Sequence, residues 1–98
     1  MDTFHQSEIR AAVLADLGGE EDVSEVTLRL VEDFAFAVAL RDLLSAHLAA
    51  SGPLTKAGKR RAALDAWERA SVRCERLAAR IGTDRRPRQV PSLAEALG

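Results

Sequence analysis

Few side chains in this 98-residue sequence could carry chemistry. His5, His47 and Cys74 are the soft metal-ligand candidates, and Ser45, Ser71 and Cys74 are the candidate nucleophiles. A structural zinc site takes four ligands, and none of the three candidates has a second ligand at metal spacing on one helical face, so no metal is expected. Hydrolysis or group transfer needs a nucleophile, a base and an orienting acid, and no such set is readable. Glu20-Glu21-Asp22 falls in a turn, where carboxylates are hydrated rather than poised for proton transfer. Neither an enzyme, a cofactor nor a small-molecule substrate is expected, since a helical hairpin of this size leaves little room for a concave pocket.

The remaining chemistry is that of charge. Residues 1 to 51 hold three arginines and no lysine against ten acids, and residues 52 to 98 hold eleven bases against five acids. Net charges of about −7 and +6 follow, although the whole chain is −1. Either the two halves neutralise each other, or the basic half faces phosphates while the acidic half faces water. Gly52-Pro53-Leu54-Thr55-Lys56-Ala57-Gly58-Lys59-Arg60 is not a nucleotide loop: five residues separate its glycines instead of four, and no strand precedes it. It reads as a turn leading into a basic first helical turn, Lys56, Lys59, Arg60 and Arg61, where the helix dipole disfavours cations. That cost hints at an anionic partner. Arg69, Arg73, Arg76 and Arg80 recur at four, three and four residues and form one stripe on a helix. Arg69 and Arg73 are expected to be neutralised by acids of the preceding helix or by Asp65. Arg76 and Arg80 lie nearest the basic tail Arg85, Arg86 and Arg88 and could join it in a phosphate-binding patch.

These residues need helices to position them. Ala, Leu and Val dominate the apolar set, with Phe4, Phe34, Phe36 and Trp67 the only aromatics, which predicts an all-α chain. The length allows one domain, spanning 1 to 82, that buries roughly 60 to 65% of its unfolded surface. A first helix is expected over 4–17, with Ser7 or Thr3 as its cap and Gly18-Gly19 as its stop. A second is expected over 24–50 with a wide apolar arc, and a third over 55–81, capped by Thr55 and closed by Gly82. Ala63, Trp67, Ala70, Cys74, Leu77 and Ile81 follow a four-three spacing, which makes a heptad seam on the third helix. With a connection of about five residues around Ser51-Gly52-Pro53, the two long helices fold back antiparallel as rods of roughly 40 Å. The wide arc of the second helix points to a homo-oligomer built on Leu30, Phe34, Phe36 and Val38, with Trp67 either in the core or as an interface anchor. Beyond Gly82 the chain should be an extended basic tail over 83–98. Ser92 and Glu95 there match a capping box, and Leu93 and Leu97 could dock on a neighbour.

The longest apolar stretch, Phe34 to Leu40, is well short of the roughly 20 residues that cross a bilayer, and Met1-Asp2-Thr3 lacks a basic export region. A single cysteine suits a reducing, cytoplasmic setting.

The helix ending at Ala50-Ser51-Gly52-Pro53-Leu54, the following Gly58-Lys59-Arg60-Arg61, and a long helix closing on Leu77-Ala78-Ala79-Arg80-Ile81-Gly82 before an arginine-rich tail resemble the small subunits of phage terminases over residues 24 to 88. The resemblance implies a ring-forming component that binds double-stranded DNA and regulates a separate large subunit. Many such proteins carry an N-terminal helix-turn-helix domain, which the single short helix before Gly18 cannot supply. DNA contacts would then fall on Lys56, Lys59, Arg60, Arg61, Arg85, Arg86 and Arg88, mainly through phosphates. The alternative from another class is a protein-protein adaptor without nucleic acid, its basic tail meeting an acidic surface.

Overall fold

The computed structural model describes residues 5–84, with side chains as far as Gly82. The chain is all-helical, and an antiparallel hairpin is its frame. Helix α1 runs Gln6–Asp16, α2 runs Glu25–Ser51 and α3 runs Ala62–Asp84. The expected tail, with Arg85, Arg86, Arg88, Leu93 and Leu97, lies outside the described residues.

Glycine ends α1 by a specific device. The Gly19 N–H donates to the Leu14 carbonyl at 2.8 Å and the Gly18 N–H to that of Ala15 at 3.1 Å, with Gly18 at φ +100°. This crossed pair satisfies the last carbonyls of the helix and needs a left-handed residue, which costs an L side chain about 1–2 kcal/mol. A single 3-10 turn, Glu20–Asp22, follows. Ser24 then caps α2: its hydroxyl oxygen accepts from the Thr27 N–H at 3.1 Å, while its O–H donates to the Thr27 hydroxyl at 3.0 Å. Ser7 does not cap α1, because that helix already begins at Gln6 with His5 at its cap position, and the alternative cap Thr3 lies outside the described residues.

The connection between the long helices corrects the expected start of the third. Helix α3 begins at Ala62, not Thr55, because Thr55 closes a turn of its own. Its N–H donates to the Lys59 carbonyl at 2.7 Å, its carbonyl accepts from Gly58 at 2.9 Å, and its hydroxyl accepts from the Lys59 N–H at 3.2 Å. Gly58 at φ +76° makes this turn possible and a helix through it impossible. Leu54 bridges to Arg60 in antiparallel fashion, and the Arg61 N–H reaches back to the Pro53 carbonyl at 3.0 Å. Lys56, Lys59, Arg60 and Arg61 therefore sit in a looped hairpin tip, and the helix-dipole penalty read from the sequence does not apply to them. At its other end α3 passes through Gly82 instead of stopping there.

Packing follows the heptad seam. Ala70, Cys74 and Ile81 are buried and Ala63, Trp67 and Leu77 half-buried, all toward α2. Small residues at Ala37 and Ala70 let the two backbones approach closely. Near the start of α2, α1 joins the pair, and Leu14, Leu30, Val31 and Ile81 form a core cluster, with Val31 fully buried. Leu30 is thus consumed inside the chain and Phe34 packs against the same cluster, which removes both from a self-association surface. By length and composition alone α2 could cross a membrane, a test that the core helix of a soluble bundle also meets. Within it, Arg41 and Asp42 are exposed charges.

Two substitutions check this account by urea unfolding. Ile81→Ala, which empties a core position shared by α1, α2 and α3, should cost about 2–5 kcal/mol. Gly18→Ala should cost about 1–2 kcal/mol, because the left-handed backbone is strained with any side chain and the added Cβ meets the Asp22 carboxylate at 3.1 Å.

Candidate functional site

The seam that turns positions 70, 74, 77 and 81 inward leaves 69, 73, 76 and 80 on the flank beside it. Arg69, Arg73, Arg76 and Arg80 are all exposed there, along about 16 Å of helix at 1.5 Å per residue. None of the four forms an ion pair among the described residues. The expectation that Arg69 and Arg73 are neutralised is therefore corrected, and the loop supplies the reason. Arg60 donates from Nε to Asp65 at 3.1 Å and from Nη2 to Glu68 at 2.8 Å, so the acids at the start of α3 are engaged by the hairpin tip. Hydrogen bonding to Glu68, and then to Asp65, raises the Arg60 pKa further above its ordinary value. On α2, Glu32 lies 3.7 Å from Arg10, which also holds Glu20 at 3.2 Å.

The predicted basic residues thus divide. Arg60 is spent within the chain, and Arg61 donates to the Ser51 carbonyl at 3.1 Å with its Nε buried and unbonded, so both are poor phosphate ligands in this conformation. Lys56 and Lys59 are exposed at the tip. Arg76 and Arg80 stand with Arg69 and Arg73 on the α3 flank, at the far end of the helix from the tip.

Beside the arginines lies an apolar groove of about 300 Å³, lined by Phe36, Ala37 and Leu40 of α2 and by Ala66, Arg69, Ala70 and Arg73 of α3. A second cleft, of about 530 Å³, runs over Val72 between Arg69, Arg73 and Arg76. Phe36 is 47% exposed and Val72 45%. Trp67 is half-buried and engaged within the chain: its indole N–H donates to Ser45 Oγ at 2.7 Å, and the Arg41 guanidinium lies 5.6 Å from its ring centroid. Val38 is half-buried, and Phe36 is the most exposed of the predicted association residues among those described.

The chemistry-bearing residues stay apart. The Ser45 hydroxyl serves Trp67, the Ser71 hydroxyl is buried with no hydrogen-bond partner, and His5 lies 3.4 Å from Glu8 on the surface while His47 is exposed elsewhere. No group of three or more His, Cys, Asp or Glu that could hold a metal occurs among the described residues. Burial pushes the Cys74 thiol pKa up, against a smaller opposing pull from Arg41. No protein-family model, curated protein or solved structure matches the chain.

What the sequence reading passed over is an outer stripe on α2. Positions 26, 29, 33, 36, 40 and 43 alternate three and four residues apart, and Val26 at 61% and Leu43 at 39% exposure lie on it with Phe36. The wide apolar arc concealed this second heptad.

Cys74 provides a direct check on the burial. Iodoacetamide should alkylate it at least about tenfold more slowly than a free cysteine at the same pH, with full reactivity returning in urea. The raised thiol pKa also fixes a sign for stability. Its contribution is complete below the ordinary thiol value and is lost as pH rises through the higher folded value, which alkaline unfolding curves of the wild type and Cys74→Ala would resolve.

Proposed function

We propose that this chain is a non-enzymatic, oligomeric DNA-packaging component similar to a phage terminase small subunit, one that holds duplex DNA through its phosphates and acts on a separate large subunit. The observation that carries the reading is the row Arg69, Arg73, Arg76 and Arg80, exposed on one flank of α3 and without an ion pair among the described residues. Unpaired guanidiniums spaced along one helix suit a phosphate backbone, where each neutralised phosphate releases condensed counterions and affinity falls steeply with salt. Nothing on this flank is arranged to read base edges, so the binding is positional and sequence-tolerant.

A second reading, a protein-protein adaptor without nucleic acid, draws on Val72 and Phe36, whose apolar surface beside the arginines has no use against phosphates. Fluorescence anisotropy with a duplex of about 30 base pairs separates the two. Binding at 50 mM salt should weaken steeply by 200 mM, and Arg76→Ala/Arg80→Ala should lower the salt slope by about 2, one unit per lost phosphate contact. Arg60→Ala should leave that slope unchanged. No retention of the duplex at 50 mM salt would overturn the packaging reading in favour of the adaptor.

A further inference from the structure

The outer stripe of α2 is self-complementary over its first four positions. Its successive positions are Val26, Arg29, Asp33, Phe36, Leu40 and Leu43, all exposed except the half-buried Leu40. Neither Arg29 nor Asp33 forms an ion pair among the described residues, although they stand four apart on one helix. A three-four spacing is that of a coiled-coil seam, and an exposed seam of this kind lacks only a second helix.

We infer that a second copy of this chain supplies that helix, with the two α2 helices packed antiparallel about a two-fold axis passing beside residue 31. In this register Arg29 faces the partner's Asp33 and Val26 faces the partner's Phe36, and the two-fold axis repeats both pairs. The two charges select the register. Shifting by one heptad one way sets Asp33 against the partner's Phe36 and Arg29 against the partner's Leu40. A second step sets Asp33 against the partner's Leu43, and a third sets it against the partner's Ala50. The opposite shift sets Asp33 against the partner's Asp22. A parallel, in-register pair opposes Arg29 to Arg29 and Asp33 to Asp33, with like charges in contact. Only the chosen arrangement pairs both charges with their opposites and Val26 with Phe36; it leaves Leu40 and Leu43 beyond the start of the partner's α2, opposite its residues 22 and 19.

A consequence joins this interface to the arginines. Leu30 and Ala37 border the stripe on the side that carries α3, and an antiparallel pair brings like borders together. Both α3 helices then lie on one side of the dimer, where their arginine rows form a single basic surface. Repulsion between the rows is screened at physiological salt, where the Debye length is about 8 Å, and a polyanion relieves it further. The inference rests on the self-associating half of the proposed function and is independent of phosphate binding.

The test is sedimentation equilibrium of the full chain at 150 mM salt without nucleic acid, with circular dichroism confirming that each variant keeps its helices. The wild type should be dimeric. Arg29→Asp and Asp33→Arg should each raise the dimer dissociation constant by about tenfold or more. The exchange variant Arg29→Asp/Asp33→Arg should restore it to within about threefold. On a Cys74→Ala background, mixing Val26→Cys with Phe36→Cys chains should give a cross-chain disulfide on oxidation, and mixing Leu40→Cys with Leu43→Cys should not. A monomer at 100 µM, a dimer or larger ring indifferent to the reversals, or cross-linking through 40 and 43 instead would overturn the inference. Duplex anisotropy on the same samples keeps the two proposals apart: a dimer that ignores DNA removes only the phosphate reading, and a monomer that binds DNA removes only this one.

Discussion

Close contact between α2 and α3 is the constraint on which the rest of the molecule depends. Small side chains at Ala37, Ala70 and Cys74 let the backbones approach, and larger groups at Leu30, Val31 and Ile81 close the end where α1 joins. A chain of this length cannot build a second core, so each residue committed to that contact decides by subtraction what its neighbours on the helix face. The arginine row of α3 and the outer stripe of α2 are both leftovers of the seam. Rotating either helix by one position would hide one of them and expose the core.

Electrostatics in this fold are governed by which carboxylates are already engaged. Helix α3 carries acids close enough in sequence to quench its own arginines, yet the hairpin tip swings Arg60 over Asp65 and Glu68 and holds them. These pairs are exposed, so they add little to stability in water. Their effect is one of allocation. Among the described residues the positive flank keeps no ion pair, and it lies beside an apolar groove lined by Phe36 and Leu40. Charge next to apolar surface is a usual composition for the margin of a binding face.

The hairpin tip shows how a few backbone hydrogen bonds redirect function. Had α3 continued back to Thr55, Lys56, Lys59, Arg60 and Arg61 would have formed a cationic helical turn against the dipole. Because the Thr55 hydroxyl and Gly58 close a turn instead, Arg60 is free to bend toward α3 and Arg61 to bond the end of α2. Two of the four bases are thereby withdrawn from any partner, and the positive face moves to the middle and far end of the helix.

The sequence by itself determined the all-helical class, the antiparallel pairing of the long helices, the inward seam from Ala63 to Ile81 and the stop at Gly18-Gly19. Each of these is local or periodic: four-three spacing, glycine at positive φ and the lack of β-formers act within a few residues. Only the tertiary structure decided that Leu30 is consumed inside the chain and Trp67 bonds to Ser45, that Arg69 and Arg73 meet no acid among the described residues, and that Val26, Arg29, Asp33 and Phe36 share an exposed face. Those outcomes depend on where α1 lands on α2 and how the loop directs Arg60, distances set by packing across elements that no spacing along the chain encodes. A wide apolar arc states how much surface a helix must cover. Which part of that arc stays open is settled by the neighbours that arrive.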